Sequence, residues 1–123
     1  MIDRIRLTAA AKIQLSTLKR KTGMEHYNSI CRHALCLSLA EASVPPDEEF
    51  SFNGGIEIDW RVFTGGHEDL YLNILLYRLQ QDGCIANSEN LKKVCISHVH
   101  RGLSYLAGKE DEYLVESLMK LVE

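Results

Sequence analysis

Four cysteines and five histidines are the residues of this 123-residue chain with the chemistry for metal binding or nucleophilic attack. Cys31, Cys36, Cys84 and Cys95, with His98 or His100, are the right types for a zinc tetrad, but the spacing does not bring them together. Residues five apart on a helix, as Cys31 and Cys36 are, differ by about 140° in direction, and His98 and His100 differ by about 200°. There is no Cys-x-x-Cys pair. The cysteines are therefore read as buried thiols, with no metal ligand and no cofactor expected. A reactive thiol would need basic neighbours to lower its pKa, and Cys31 beside Arg32 and His33 is the one so placed.

Carboxylates offer a second chemistry. Glu57, Asp59 and Glu68 with His67 are the types a metal-dependent nuclease uses, yet nothing in their spacing puts them in one cavity, so solvated or ion-paired side chains are expected and no catalytic residue is predicted. The pairs Gly54-Gly55 and Gly65-Gly66 lack the flanking pattern of a phosphate-cradling loop and read as turns needing positive φ.

The basic residues differ because several align. Residues 1–36 hold seven basic groups and two acids, a net of +5, whereas residues 37–123 hold seven basic groups and fifteen acids, a net of −8, so the overall −3 hides a split. Arg4, Arg6, Lys12, Lys19, Arg20 and Lys21 have almost no acid near them in sequence, which points to a phosphate-binding surface. Arg101 is a weaker addition. It lies in His98-Val99-His100-Arg101-Gly102, where one exposed and one packed histidine are expected, with Arg101 paired to an acid or facing the same polyanion.

The elements that must position these groups are mainly helical. Asp-Arg-Ile-Arg-Leu at 3–7 alternates, so a strand there puts Arg4 and Arg6 on one face and Ile5 and Leu7 on the other. Thr8 is a good N-cap and Gly23 a good C′ glycine for a helix over 9–21, on which Lys12, Ser16 and Lys19 share a face away from the apolar stripe. A second helix, 27–42, is apolar nearly all round; Pro45 and Pro46 follow its end. In so small a chain it predicts a homo-oligomer, a dimer or tetramer. Residues 50–66 read as an irregular or β segment. Further helices are expected over 67–81, over 88–106 capped by Ser88, and over 110–122. The whole is one compact domain, 1–123, of about five helices with a ribbon-helix-helix-like start, in which a β-ribbon would make Arg4 and Arg6 base readers. Met1 leads into charged residues and no apolar run is long enough to span a bilayer, so a cytoplasmic protein is expected.

Several segments carry a family resemblance: Ile5-Arg6-Leu7; Leu18-Lys19-Arg20-Lys21-Thr22-Gly23-Met24; Ile30-Cys31-Arg32-His33-Ala34-Leu35-Cys36-Leu37-Ser38-Leu39; Gly55-Ile56-Glu57-Ile58; and His100-Arg101-Gly102-Leu103. Over nearly the whole chain these resemble DndE, the small component of the Dnd DNA sulfur-modification system. Where such relatives continue Gly-x-Glu-Ile-Asn-Arg, this chain has Asp59-Trp60-Arg61. The resemblance implies a non-enzymatic, DNA-binding member of the phosphorothioation machinery, working beside DndC and DndD. The expected ligand is double-stranded DNA, held by its backbone, with an opened or nicked strand favoured because the modified atom lies in that backbone. The alternatives are an assembly adaptor that never touches DNA, and a metal-dependent nuclease.

Overall fold

The computed structural model describes residues 2–108; the segment 110–122, expected as a last helix, lies outside them. Strand β1 (Arg4–Leu7) leads into helix α1 (Ala9–Thr22) and helix α2 (Tyr27–Leu39). Strand β2 (Ile56–Asp59), a short helix α3 (Trp60–Phe63), α4 (Glu68–Gln81) and α5 (Ser88–Ala107) follow. The protein is mainly α, with five helices and one two-stranded ribbon among the described residues. None of these helices is long and apolar enough to cross a membrane.

The alternation in β1 places Ile5 and Leu7 in the core and leaves Arg4 and Arg6 exposed. A strand followed by two helices opens the chain as expected, and the ribbon is completed within it. β1 pairs antiparallel with β2 of the same chain, with Arg4 opposite Asp59 and Arg6 opposite Glu57. The 50–66 segment thus supplies the partner strand, and its second part is not irregular but the helical turn α3. Gly54, Gly65 and Gly66 have the expected positive φ, whereas Gly55 answers to a close approach: a Cβ there would stand 1.8 Å from the Leu7 carbonyl oxygen.

Thr8 caps α1, its hydroxyl accepting from the Ala11 N–H at 3.1 Å, and Gly23 closes the helix in the left-handed region. α5 is capped one residue earlier than expected. Asn87, not Ser88, takes the N-cap position and accepts from the Asn90 N–H at 2.8 Å.

α2 and α5 form the centre of the fold. They meet backbone to backbone: a Cβ on Gly102 would lie 1.9 Å from the Ala34 carbonyl oxygen. Ile30, Cys31, Ala34 and Leu35 of α2 are fully buried, as are Leu91, Cys95, Val99, Leu103 and Leu106 of α5. The 20-residue α5 therefore covers much of the apolar surface that suggested a subunit interface. α2 also stops at Leu39, before the expected 42 and well before the prolines. Two arginines from other helices gather the carbonyls of its end and of the turn that follows. Arg78 donates to the carbonyls of Leu39, Glu41, Ala42 and Ser43, and Arg101 to those of Ser38 and Ser43.

The Gly102 contact predicts that Gly102→Ala, despite its better helix propensity, destabilises the protein by at least ~2 kcal/mol through overpacking. Urea unfolding of the two proteins measures this.

Candidate nucleic-acid interface

Helix α1 buries Ala11, Leu15 and Leu18, and this stripe fixes what the opposite side presents. Lys12, Ser16 and Lys19 are exposed together, joined by Ile13 and Arg20, so the i, i+4, i+7 alignment is realised in space. Ile13 is 67% exposed, an apolar side chain set among cations. Lys21 is exposed too, but nine residues beyond Lys12 it points about 180° away from it. Lys19, Arg20 and Lys21 occupy the last turn, where cations also complement the unpaired carbonyls of the helix end. Lys19 lies over the Tyr27 ring, its ammonium 5.5 Å from the centroid.

The ribbon arginines are placed differently. Arg4 Nη1 donates to Glu57 Oε1 at 2.7 Å in a solvent-exposed ion pair. This bond raises the arginine pKa and lowers that of the carboxylate, and Arg6 also contributes to the lowering. Arg6 stands over the Phe52 ring at 5.8 Å. Because Glu57 and Asp59 share the exposed face with Arg4 and Arg6, the ribbon is a mixed-charge surface. The basic excess of the first 36 residues is thus partly balanced in space by acids 50 positions further on. These acids continue into a shallow cleft of about 450 Å³ that Lys19, Glu25, His26 and Tyr27 also line.

Arg101 is not part of any outer basic face. Its side chain is only 10% exposed and its donors are taken: Nε by Ser38 Oγ at 2.8 Å, Nη1 by Ser43 Oγ at 3.0 Å, and Nη2 by two carbonyls. Glu41 stands 4.0 Å away as its acidic partner. Neither neighbouring histidine is exposed. His98 is fully buried, its Nδ1 2.7 Å from Ser38 Oγ. His100 accepts from the Thr8 N–H at its Nε2, lies 2.7 Å from the Ile96 carbonyl through Nδ1, and stacks on Phe50 at 4.3 Å. That requires the Nδ1–H tautomer.

The thiols divide two and two. Cys31 and Cys95 are buried, Cys36 and Cys84 exposed, so the buried reading holds for half of them. Burial pushes the Cys31 thiol up to about 12 against a small opposing effect of Arg32, which leaves it protonated and unreactive at neutral pH. Arg32 itself is turned to the Phe63 carbonyl and Ser29. Glu57 is tied to Arg4, and Glu68 sits in the first turn of α4. Among the described residues, no three of His, Cys, Asp and Glu converge on a metal position.

Fold and surface together define a small helical protein led by a two-stranded ribbon, with cations on the outer face of its first helix. A family model described as DNA sulphur modification protein DndE matches residues 4–113, and the chain belongs to the DndE family. In structure it is similar to DndE from Escherichia coli B7A, a protein involved in DNA phosphorothioation modification. The TM-score is 0.68, with 23% identity over 86% of this chain and 99% of that one, a likeness of fold. No curated protein matches the sequence.

Two expected outcomes follow from the placement of Arg101 and the histidines. Arg101→Ala strands the Ser38 and Ser43 acceptors and lowers unfolding free energy by about 2–3 kcal/mol, while the folded fraction keeps its affinity for any polyanion. Chemical denaturation paired with a DNA gel shift separates the two effects. His33, His98 and His100 all sit below their ordinary 6.5, chiefly through burial, and His98 falls to about 4 with Arg78 and Arg101 repelling its proton. The unfolded chain then binds protons that the folded one refuses. Their stabilising contribution is complete above about 6.5 and is lost as pH falls toward about 4. The unfolding free energy from urea titrations should drop by ~1–3 kcal/mol between about pH 7 and pH 5, before most carboxylates titrate.

Proposed function

We propose that this protein is a non-catalytic, DNA-holding component of a cytoplasmic DNA sulfur-modification system, working beside DndC and DndD. Membership of the DndE family supports the process. The observation that carries the DNA role is the outer face of α1, where Lys12, Lys19 and Arg20 stand exposed opposite a fully packed stripe. Cations spaced along a rigid helix suit the phosphate backbone, which carries charge but no sequence code, so binding is independent of sequence and steeply dependent on salt.

A homo-oligomer, dimer or tetramer, repeats this face and widens the footprint. The exposed apolar residues that favour assembly lie on α4: Leu70 and Tyr77, seven residues apart, are 56% and 63% exposed. The same residues favour a second reading, an adaptor that joins other Dnd proteins without touching DNA.

Lys12→Ala with Lys19→Ala should weaken duplex binding by about tenfold or more at ~100 mM salt. The slope of log affinity against log salt should fall by roughly two for each copy in contact, equally across sequences. Titrations with intact and nicked duplex measure both quantities and the strand preference. Unchanged affinity and slope in the double variant would show that α1 does not hold DNA, and co-purification with DndC or DndD without DNA binding would favour the adaptor.

A further inference from the structure

The register of the ribbon sets two acids against two arginines on one exposed surface, and the two acids line the same cleft as Lys19 of the helix face assigned to DNA. Resting on that assignment, we infer that Glu57 is a built-in substitute for phosphate: it occupies Arg4 in the free protein and yields it to the DNA backbone once α1 has anchored the duplex. The Arg4–Glu57 bond, 2.7 Å long, has the geometry of an arginine–phosphate contact. Both side chains are exposed, at 60% and 42%, so the pair is weak enough to exchange. A stray anion gains little by displacing the carboxylate. A phosphate already held close by Lys12 and Lys19 acts at a high effective concentration and displaces it readily.

The ribbon also provides for the carboxylate that is left behind. Arg6 lies directly opposite Glu57 in the β1–β2 register and already acts on its charge. Glu57 can pass from Arg4 to Arg6 without losing a cationic partner, so the exchange frees one arginine, not two. Asp59, opposite Arg4 and close enough to raise its pKa, keeps a negative charge beside the freed guanidinium. It limits how far DNA spreads across the ribbon. The ribbon arginines thus engage second, and only with a duplex placed by α1.

Glu57→Gln, which keeps the side-chain shape, tests this in a double-mutant cycle with Arg4→Ala on a duplex probe. Expected is an affinity about three- to fivefold tighter for Glu57→Gln at ~100 mM salt, with a salt slope steeper by roughly one per copy in contact. Arg4→Ala should abolish that gain. A gain of equal size in the Arg4→Ala background would reduce Glu57 to a distant repulsive charge and overturn the exchange. So would wild-type affinity in Glu57→Gln when Lys12→Ala with Lys19→Ala still weakens binding. If neither wild type nor Glu57→Gln binds duplex at low salt, the DNA assignment fails and this inference with it. Thermal melts of each variant show that the ribbon remains folded.

Discussion

The central packing contact of this protein is between two helices, where Gly102 of α5 lies against the Ala34 carbonyl of α2. With no side chain between them, the helices come near enough for a polar layer one turn away to close as well. Ser38 Oγ there receives Arg101 and lies 2.7 Å from His98 Nδ1, all at the end of α2. A buried serine, a buried histidine and a nearly buried arginine are costly unless they partner one another, and the short helix separation lets them do so, with only His98 Nε2 left without a hydrogen bond among the described buried side chains. Arg78 completes the layer from α4, so three helices are tied to one turn of chain at 38–43. α1 and the ribbon are positioned in turn by this centre, through the Thr8 N–H donated to His100 of α5.

That dependence explains how the charges are distributed. Arginines divide by depth: Arg32, Arg78 and Arg101 reach inward to carbonyls, while Arg4, Arg6 and Arg20 stay outside. A guanidinium with five fixed donors is suited to gathering several carbonyls at a helix end, a task the single ammonium of lysine does poorly. The exposed lysines of α1 are left for the solvent side by the burial of Ala11, Leu15 and Leu18. Charge counted along the chain therefore overstates the basic surface, since β2 brings Glu57 and Asp59 against the basic strand, while the α1 face keeps its cations.

How much was legible in the sequence depended on the reach of each interaction. The Thr8 cap, the Gly23 stop, the alternation of β1 and the common face of Lys12 and Lys19 rest on residues within a few positions of each other, and each is found as expected. The end of α2 was not legible, because the groups that stop it lie 35 to 63 residues away. The prolines that follow gave a local reason for a boundary that distant arginines had already set. Arg101 finds the acidic partner expected of it in Glu41, 4.0 Å away, but Ser38 and Ser43, which also hold its donors, lie 63 and 58 residues off and leave no local sign.

The sequence by itself determined a mainly helical domain, its family, and the basic face of its first helix, because helix periodicity and capping are local and survive any arrangement of the elements. Only the tertiary structure decided which cations face solvent and which brace the core. It also decided that β1 pairs with β2 of its own chain, about 50 residues away, in a register that sets Arg4 and Arg6 against two carboxylates. Pairing and burial depend on where distant segments meet, as at Gly102 against Ala34 and Gly55 against Leu7, and no local pattern encodes those meetings.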